Sequence, residues 1–483
     1  MKRIYITVLL LAALVTACEL PDNVDPKAPS EVPTGTIVGN AMRDFAYQVD
    51  ELNVNLNICR LLCQYFAEVT YTDESRYRFD DRQIPDNYWN DFYRDGLMDL
   101  KEAKDLYSAT EGGAEFNANR DNMIAILDIM EVYIYQVLVD AFGNVPYSEA
   151  LGGIENSTPV YDDQVGVYND LFTRIAADIS TLAANSAAGS FGSEDIFFGG
   201  DVAMWKKAAA SLQLRLAMRV ADVNASASQS NAEAAIAAGL LEDGESWELV
   251  YPGVSPHVNS VYNHFNIDNR KDYVPTATII DIMSATNDPR LPLYATLAPD
   301  TTVYIGMEYG LAGGDAYQNY SHLSDQLMND ATWPAVMIDY PEVQFLLAEA
   351  AQRGYTTPMT AEEHYNAAVT ASVVAWGGDA ADAATFLAND VPYDAANWKE
   401  SLGTQKWVAL FNRGIEGWAE WRKFDFPVLH VPEELLVTDI PLRMPYPFNE
   451  KDLNGTNYDA AAAAIGGDEV RTQIFWDATP YAK

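Results

Sequence analysis

Apolar residues recur every three or four positions along most of the chain, which is the spacing of one face of an α-helix. Clear examples run from Ile126 to Val137 and from Trp205 to Leu216. A third helix is predicted to begin at Asp339 and to end at Gly354. Further helices are predicted over about 37–67, 87–107, 164–184, 361–375 and 404–421. The alternation that is typical of strands is nearly absent, so the sequence predicts an all-α protein.

The helices are predicted to pack in pairs, with one long interruption. Ala348 and Ala350 precede the turn at Gly354, and Tyr365 and Ala368 follow it, as in a tetratricopeptide unit. Small residues of this kind let two helices approach closely. In contrast, Pro, Gly, Asn and Asp recur every few positions over about 242–335. That composition predicts a loop-rich insertion with short helices.

The N-terminus has the pattern of an exported protein. Two basic residues, Lys2 and Arg3, precede an apolar stretch and then the small residues Thr16 and Ala17, so residues 1–17 are predicted to be a signal peptide. Cys18 follows directly, as in a bacterial lipobox, in which the cysteine becomes lipidated; the alternative is an ordinary signal peptide with a chance cysteine. Residues 18–36, rich in proline and acid, are predicted to be a tether to that lipid anchor.

The charge of the chain excludes one class of partner. It has 70 acidic and 30 basic residues, a formal net charge of −40. A nucleic-acid-binding protein needs a basic surface, so nucleic acid is excluded as a partner. The other two cysteines, Cys59 and Cys63, are one helical turn apart, which is too far for a disulfide bond. They are predicted to be buried packing residues.

No catalytic motif is present in the sequence. It contains no GxxxxGK[ST], HExxH or GxSxG pattern, and its five histidines are scattered without ligand spacing. We therefore predict no enzyme activity, no catalytic residue and no metal ligand. An acid-rich loop over 71–81 has enough oxygen ligands for a structural Ca²⁺, although it lacks the pattern of a calcium-binding loop, so this cofactor stays open.

Aromatic residues are enriched over 65–93, where nine occur, against about 3.5 expected from the 12% average. A sugar ring presents an apolar face and a rim of hydroxyls, so it is bound by aromatic rings and planar hydrogen-bonding groups in loops. Tyr71, Arg76 and Tyr77 lie in a predicted loop and are therefore candidate ligand-binding residues.

The insertion supplies a second group of candidate ligand-binding residues. These lie among Gly, Asp and Asn residues and are Tyr317, Asn319, Tyr320 and Trp333. The alternative is that such side chains seal the contact between the insertion and the helical scaffold. The sequence does not distinguish the two roles.

Six segments, in order, resemble the SusD/RagB family of outer-membrane lipoproteins, specifically its SusD-like branch two. They are YQVLVDAFGNVPYSEAL (135–151), WKKAAASLQLRLAMRVAD (205–222), NDPRLPLY (287–294), YPEVQFLLAEAAQRG (340–354), QKWVALFNRGIEGWAEWRKFDFP (405–427) and LRMPYPFNEKDLNGTNY (442–458). The resemblance implies one domain over 37–483, with about eight scaffold helices in four tetratricopeptide-like pairs and the insertion packed on them. Arg215 and Arg219 in the second segment are predicted to pair with acids of neighbouring helices.

The resemblance also implies a function. Members of the family are cell-surface lipoproteins that capture glycans, or in some cases peptides, and deliver them to a SusC-like TonB-dependent transporter in the outer membrane. Their ligand sites use a loop after the first helix together with the insertion. The expectation is thus a non-catalytic glycan-capturing protein. The alternatives are a peptide-capturing member, a structural tetratricopeptide-type scaffold and, with no motif in its favour, a carbohydrate-active enzyme.

Overall fold

A computed structural model of the chain describes residues 34–478. The predicted signal peptide, Cys18 and nearly all of the tether lie outside the described residues. The α-helices are α1 (Thr34–Asp50), α2 (Cys59–Leu62), α3 (Ile84–Asn90), α4 (Met98–Ser108), α5 (Ala114–Phe142), α6 (Gln164–Ala184), α7 (Val202–Arg219), α8 (Ala225–Ala238), α9 (Ser260–Tyr262), α10 (Ala277–Ala285), α11 (Leu291–Tyr294), α12 (Asp325–Asn329), α13 (Tyr340–Gln352), α14 (Ala361–Ala375), α15 (Ala380–Asn389), α16 (Trp398–Ala409), α17 (Gly414–Phe424), α18 (Glu450–Leu453) and α19 (Gly455–Ala464). The strands are β1 (Phe66–Glu68), β2 (Ser246–Leu249), β3 (Tyr273–Pro275) and β4 (Ala335–Asp339). The prediction of a mainly helical protein is confirmed.

Four pairs of consecutive helices form the scaffold. Helix α5 packs against α6, α7 against α8, α13 against α14, and α16 against α17. The pairs also contact one another, because α6 packs on α7, α7 on α13, and α13 on α16. Neighbouring pairs therefore bury one another's apolar faces, as in a repeat array. This confirms the predicted tetratricopeptide-like arrangement of about eight helices.

Helix α5 lies at the centre of the core. It has 29 residues, and nearly all of its side chains from Ala125 to Phe142 are buried. Among the described residues it alone is long and apolar enough to cross a membrane, but 83% of its apolar window is buried inside the molecule. Its apolar character thus matches the interior of the protein, where neighbouring helices surround it.

Two short antiparallel ribbons hold the insertion to the scaffold. Strand β2 pairs with β4, with Ser246 opposite Asp339, and so joins the two ends of the insertion. Strand β1, which follows α2, pairs with β3 inside the insertion, with Phe66 opposite Pro275. The sequence pattern did not predict these strands. Strands β1 and β3 are buried on both faces, so they lack the alternation that marks a half-exposed strand.

Two predicted helices have different bounds in the structure. The helix predicted over 37–67 ends at Asp50, and an irregular segment, α2 and β1 follow it. The helix predicted over 404–421 is divided into α16 and α17 around Asn412, which has a left-handed φ of 71°. Gly414 follows, and a Cβ at this position would lie 2.4 Å from the backbone nitrogen of Arg60, so the close approach of α2 requires glycine.

Buried ion pairs connect the scaffold helices. Arg215 on α7 donates from Nε to Oε1 of Glu342 on α13 over 2.6 Å. Arg219 donates to Glu416 over 2.6 Å and to Glu420 over 2.7 Å, both on α17. The predicted pairing of these two arginines with neighbouring helices is confirmed. Each charge is taken out of water but keeps an opposite charge beside it.

The two cysteines are packing residues, as predicted. Cys59 and Cys63 are both buried and unbridged. Burial raises the pKa of the Cys59 thiol to about 12, so this side chain stays protonated and unreactive at physiological pH.

Candidate ligand-binding face

The loop after β1 meets the insertion next to the β1–β3 ribbon. Val69 donates its backbone N–H to the carbonyl of Asp272 over 2.7 Å and accepts from the N–H of Asp315 over 3.0 Å. Thr70 adds a hydrogen bond from Oγ1 to Oδ1 of Asp272 over 2.8 Å. Tyr71, the next residue, is thereby placed beside two segments of the insertion, at the edge of a cleft of about 280 Å³. We call the surface formed by Tyr71, Arg82, Arg270 and this cleft the Tyr71 face.

Tyr71 itself is presented to solvent. Its side chain is 65% exposed, and its backbone φ of 56° lies in the left-handed region that residues with a Cβ rarely adopt. The guanidinium carbons of Arg82 and Arg270 lie 5.7 and 5.9 Å from the centre of its ring. Cation–π contacts of this kind hold an aromatic ring in place. The result is a positioned, accessible ring of the type that stacks on a sugar.

Both arginines are themselves fixed by carboxylates. Arg82 lies 2.5 Å from Oε1 of Glu74, and Arg270 donates to Oδ2 of Asp272 over 2.5 Å. Their remaining N–H groups are planar donors next to the exposed ring. A guanidinium that is already held in one orientation loses little freedom when it donates to a ligand hydroxyl.

The cleft beside Tyr71 is polar, and burial disfavours the charged forms of two of its titratable groups. Burial raises the pKa of Glu68 well above its ordinary value, and the nearby carboxylate of Glu74 raises it further. Burial also lowers the pKa of His264, so that the imidazole is neutral at physiological pH. Amide side chains of Asn53 and Asn55 line the same cleft. Amide groups and a neutral imidazole are donors and acceptors that suit the hydroxyl groups of a sugar.

Three predicted residues of the insertion lie on the loop that adjoins the Tyr71 face. Asp315 accepts a hydrogen bond from Asn319 over 2.9 Å and one from the hydroxyl of Tyr320 over 2.7 Å. The ring of Tyr317 stacks on His322, with ring centres 3.9 Å apart. Asn319 is exposed, while Tyr317 and Tyr320 are half-buried. The structure therefore brings these residues near Tyr71 through the bond between Asp315 and Val69.

Tyr77 is not part of this face, contrary to the expectation from the sequence. It is completely buried, its hydroxyl accepts a hydrogen bond from Nε2 of Gln64 over 3.0 Å, and its ring packs 5.6 Å from that of Tyr309. Arg76 is mostly buried and forms ion pairs with Asp73 and Glu434. These two residues hold the loop in shape.

Trp333 lies apart from the Tyr71 face. It is half-buried and lines a second cavity, of about 360 Å³, beside the β2–β4 ribbon. This cavity shares no lining residue with the cleft at Tyr71. The seven residues predicted to bind ligand therefore lie in three places. Four are on the Tyr71 face or its adjoining loop: Tyr71, Tyr317, Asn319 and Tyr320. Arg76 and Tyr77 make structural contacts, and Trp333 lines the separate cavity.

The sequence did not reveal the basic residues of the Tyr71 face. Arg82 and Arg270 come from distant parts of the chain, and neither belongs to a motif. The only available signal was rarity, because the chain has just 30 basic residues. Arg270 reaches Tyr71 because β1 pairs with β3, and short strands of this kind have no local sequence pattern.

The acid-rich loop over 71–81 uses its carboxylates for ion pairs. Asp73 pairs with Arg76 and Arg78, and Asp80 and Asp81 also pair with Arg78. Within residues 34–478, no group of three or more His, Cys, Asp or Glu side chains is arranged to hold a metal ion. The oxygens that the sequence offered for Ca²⁺ are therefore engaged by arginine in this loop.

Comparison with known protein families identifies the family of this chain. A family model named SusD-like and described as starch-binding and associating with the outer membrane matches residues 26–447, so the chain belongs to the SusD-like family. No curated protein matches it. Among solved structures, a chitin-binding protein is similar at 25% identity with a TM-score of 0.78, covering 92% of this chain and 100% of its own.

Two further structures support the same fold. A chitin-binding SusD homologue from Flavobacterium johnsoniae is 23% identical with a TM-score of 0.79, over 93% of this chain and 99% of its own. A SusD homologue from Bacteroides uniformis is 25% identical with a TM-score of 0.75, over 92% of this chain and 99% of its own. The family resemblance that the sequence motifs indicated is confirmed.

Proposed function

We propose that this protein is a non-catalytic receptor that captures an oligosaccharide at the Tyr71 face. The observation that carries the proposal is the exposed ring of Tyr71, held between the guanidinium groups of Arg82 and Arg270 at the edge of a polar cleft. The ring stacks on the apolar face of a sugar, and the arginines donate to its hydroxyls. The family description as starch-binding and the chitin-binding names of two similar structures support a glycan ligand.

The same proposal covers location and partner. Lipidation at Cys18 anchors the mature protein to the outer membrane at the cell surface, and residues 18–36 form its tether. The partner is a SusC-like TonB-dependent transporter that receives the captured glycan. The family description as associating with the outer membrane supports this location. Changing Cys18 to Ser is expected to release the protein from the outer-membrane fraction.

Calorimetric titration of the soluble protein with chitin and starch oligosaccharides tests the capture site. Tyr71→Ala is expected to weaken binding roughly tenfold or more, because stacking on an aromatic ring contributes roughly 1–3 kcal/mol and about 1.4 kcal/mol is tenfold. The matched control is Phe116→Ala on α5, which removes another exposed aromatic ring, 47% exposed, and should leave binding unchanged.

Two results would contradict the proposal. One is that Tyr71→Ala binds every oligosaccharide as tightly as the unaltered protein does. The other is hydrolysis of the bound oligosaccharide by the pure protein, detected by chromatography of the products after long incubation. Either result would show that the protein is not a non-catalytic receptor that captures its ligand at the Tyr71 face.

A further inference from the structure

The cavity beside the β2–β4 ribbon has the dimensions of a small-molecule site. Its volume of about 360 Å³ is in the range of ligand pockets, roughly 300–1,000 Å³. It lies between the ribbon, the C-terminal end of α14 and the link between α16 and α17. None of its lining residues contributes to the Tyr71 face.

Aromatic side chains form one wall of this cavity. The rings of Trp333 and Trp376 lie 4.9 Å apart at an angle of 46°, and Phe411 packs 5.9 Å from Trp376. Tyr340, half-buried at the start of α13, lines the same space. Such a wall attracts the face of a ring, and its negative π surfaces also attract a cation.

The carboxylates that line the cavity outnumber its cations. Four of them have a basic partner: Asp50 with Arg60, Glu245 with Lys207, Asp339 with Arg413, and Glu416 with Arg219. Arg413, the basic residue of the lining, is held by Asp339 and Glu342. Asp243 and Glu248 form no ion pair within residues 34–478.

Of the two lining carboxylates without an ion pair in the described part of the chain, Glu248 is the one that is half-buried. It lies on β2, and its neighbours are the hydroxyl of Ser246 and the carboxylate of Asp339. Burial and that second carboxylate raise its pKa, because both disfavour the negative charge. A cation that entered the cavity would relieve both effects. A neutral or anionic ligand would bring no positive charge to this carboxylate.

We propose that this cavity is a second binding site, selective for a ligand that carries a protonated amine on a sugar ring, that is, an amino sugar. The ring stacks on Trp333, the half-buried ring of the aromatic wall, and the ammonium group pairs with Glu248. This site goes beyond the capture of glycans at the Tyr71 face and does not depend on it.

Titration with a matched pair of disaccharides tests the proposal: the glucosamine disaccharide and its N-acetylated form, at a slightly acidic pH where the amine is protonated. The charged form should bind the unaltered protein about tenfold or more tightly than the acetylated form, since only it can make a charge-assisted hydrogen bond. Glu248→Gln, which keeps the shape of the side chain, should abolish this preference.

A second variant tests the cavity by filling it. Val374 lines the cavity at the end of α14 and is 49% exposed, so Val374→Lys is expected to fold and to place its own ammonium group in the cavity. Binding of the charged disaccharide should then be lost. Thermal melts of each variant serve as the control for folding.

The Tyr71→Ala variant separates this proposal from the proposed function, because it should retain the preference for the amine. The proposal is overturned if the two disaccharides bind equally or not at all, or if Glu248→Gln keeps the preference. It is also overturned if Tyr71→Ala removes that preference. Tighter binding of lysine amide than of the amino sugar would overturn the ligand class.

Discussion

Tyr71 and Tyr77 show how residue environment determines role within a single loop. Both have a left-handed backbone, with φ of 56° and 67°. Tyr71 points to solvent between two arginines, whereas Tyr77 is buried and bonded to Gln64. The first is available to a ligand and the second holds the loop against the core.

This difference predicts opposite effects on stability. Tyr77→Ala leaves a cavity and should lower the free energy of unfolding by ~3–5 kcal/mol. Tyr71→Ala removes an exposed ring and should change it by no more than about 0.5 kcal/mol. Chemical denaturation of both variants measures the two values. Equal losses at the two positions would show that the ring of Tyr71 is packed rather than presented.

A further variant separates packing from hydrogen bonding at the buried position. Tyr77→Phe keeps the ring and loses the hydroxyl that accepts from Gln64, so it should cost only about 0.5–1.5 kcal/mol. A loss as large as that of Tyr77→Ala would place the stabilisation in the hydrogen bond instead of the packed ring.

Only part of the Tyr71 face could be predicted from the sequence, for a physical reason. An enrichment of aromatic residues is a local property, so Tyr71 could be identified from its own neighbours. The exposure of Tyr71 and the burial of Tyr77 depend on β3 and on Gln64, which local composition does not encode. Arg270 reaches the ring only through the pairing of β1 with β3.

At the scale of the elements, a buried histidine joins α13 to α14. Nδ1 of His364 lies 2.7 Å from Oε1 of Gln344, and Nε2 accepts the backbone N–H of Met359 over 3.3 Å. Because Nε2 accepts a hydrogen bond, the ring is neutral and donates from Nδ1. Burial lowers the pKa of His364 to about 4, against an ordinary value of 6.5.

This contact predicts a pH dependence of stability. Between pH 6.5 and about 4, the unfolded chain binds a proton at His364 and the folded chain does not, so the free energy of unfolding falls as the pH falls. His364→Gln cannot be protonated, so its own loss of stability over this window should be smaller. Denaturation of both proteins at pH 7 and pH 4.5 provides the comparison.

The control for this experiment is His430→Gln, since the side chain of His430 is 39% exposed. This variant should lose stability with falling pH as the unaltered protein does. The explanation fails if His364→Gln has the same pH dependence as the unaltered protein.

Helices were more predictable than strands because their signals are local. The helix predicted over about 361–375 coincides with α14, and the structure adds a capping box formed by Thr360 and Glu363. Strands β2 and β4 are stabilised by each other across the whole insertion, so neither carries a complete signal in its own sequence. The prediction of one helix over 37–67 was wrong for a related reason: the segment after Asp50 leads into β1, which pairs with the distant strand β3.

At the scale of the whole molecule, a rigid array of helix pairs presents a clamped insertion. The buried pairs of Arg215 and Arg219 fix α7 to α13 and α17. The β1–β3 ribbon then fixes the insertion next to the loop that carries Tyr71. With a net charge of −40, the molecule repels anionic ligands, so neutral or amine-bearing glycans are expected.

The most direct measurement is a crystal structure of the protein with the oligosaccharide that binds it most tightly in titration. We expect a sugar ring stacked on Tyr71, with hydroxyls hydrogen-bonded to Arg82 or Arg270, and an intact glycosidic bond beside it. A structure with the oligosaccharide on another surface and Tyr71 still in solvent would contradict capture at the Tyr71 face.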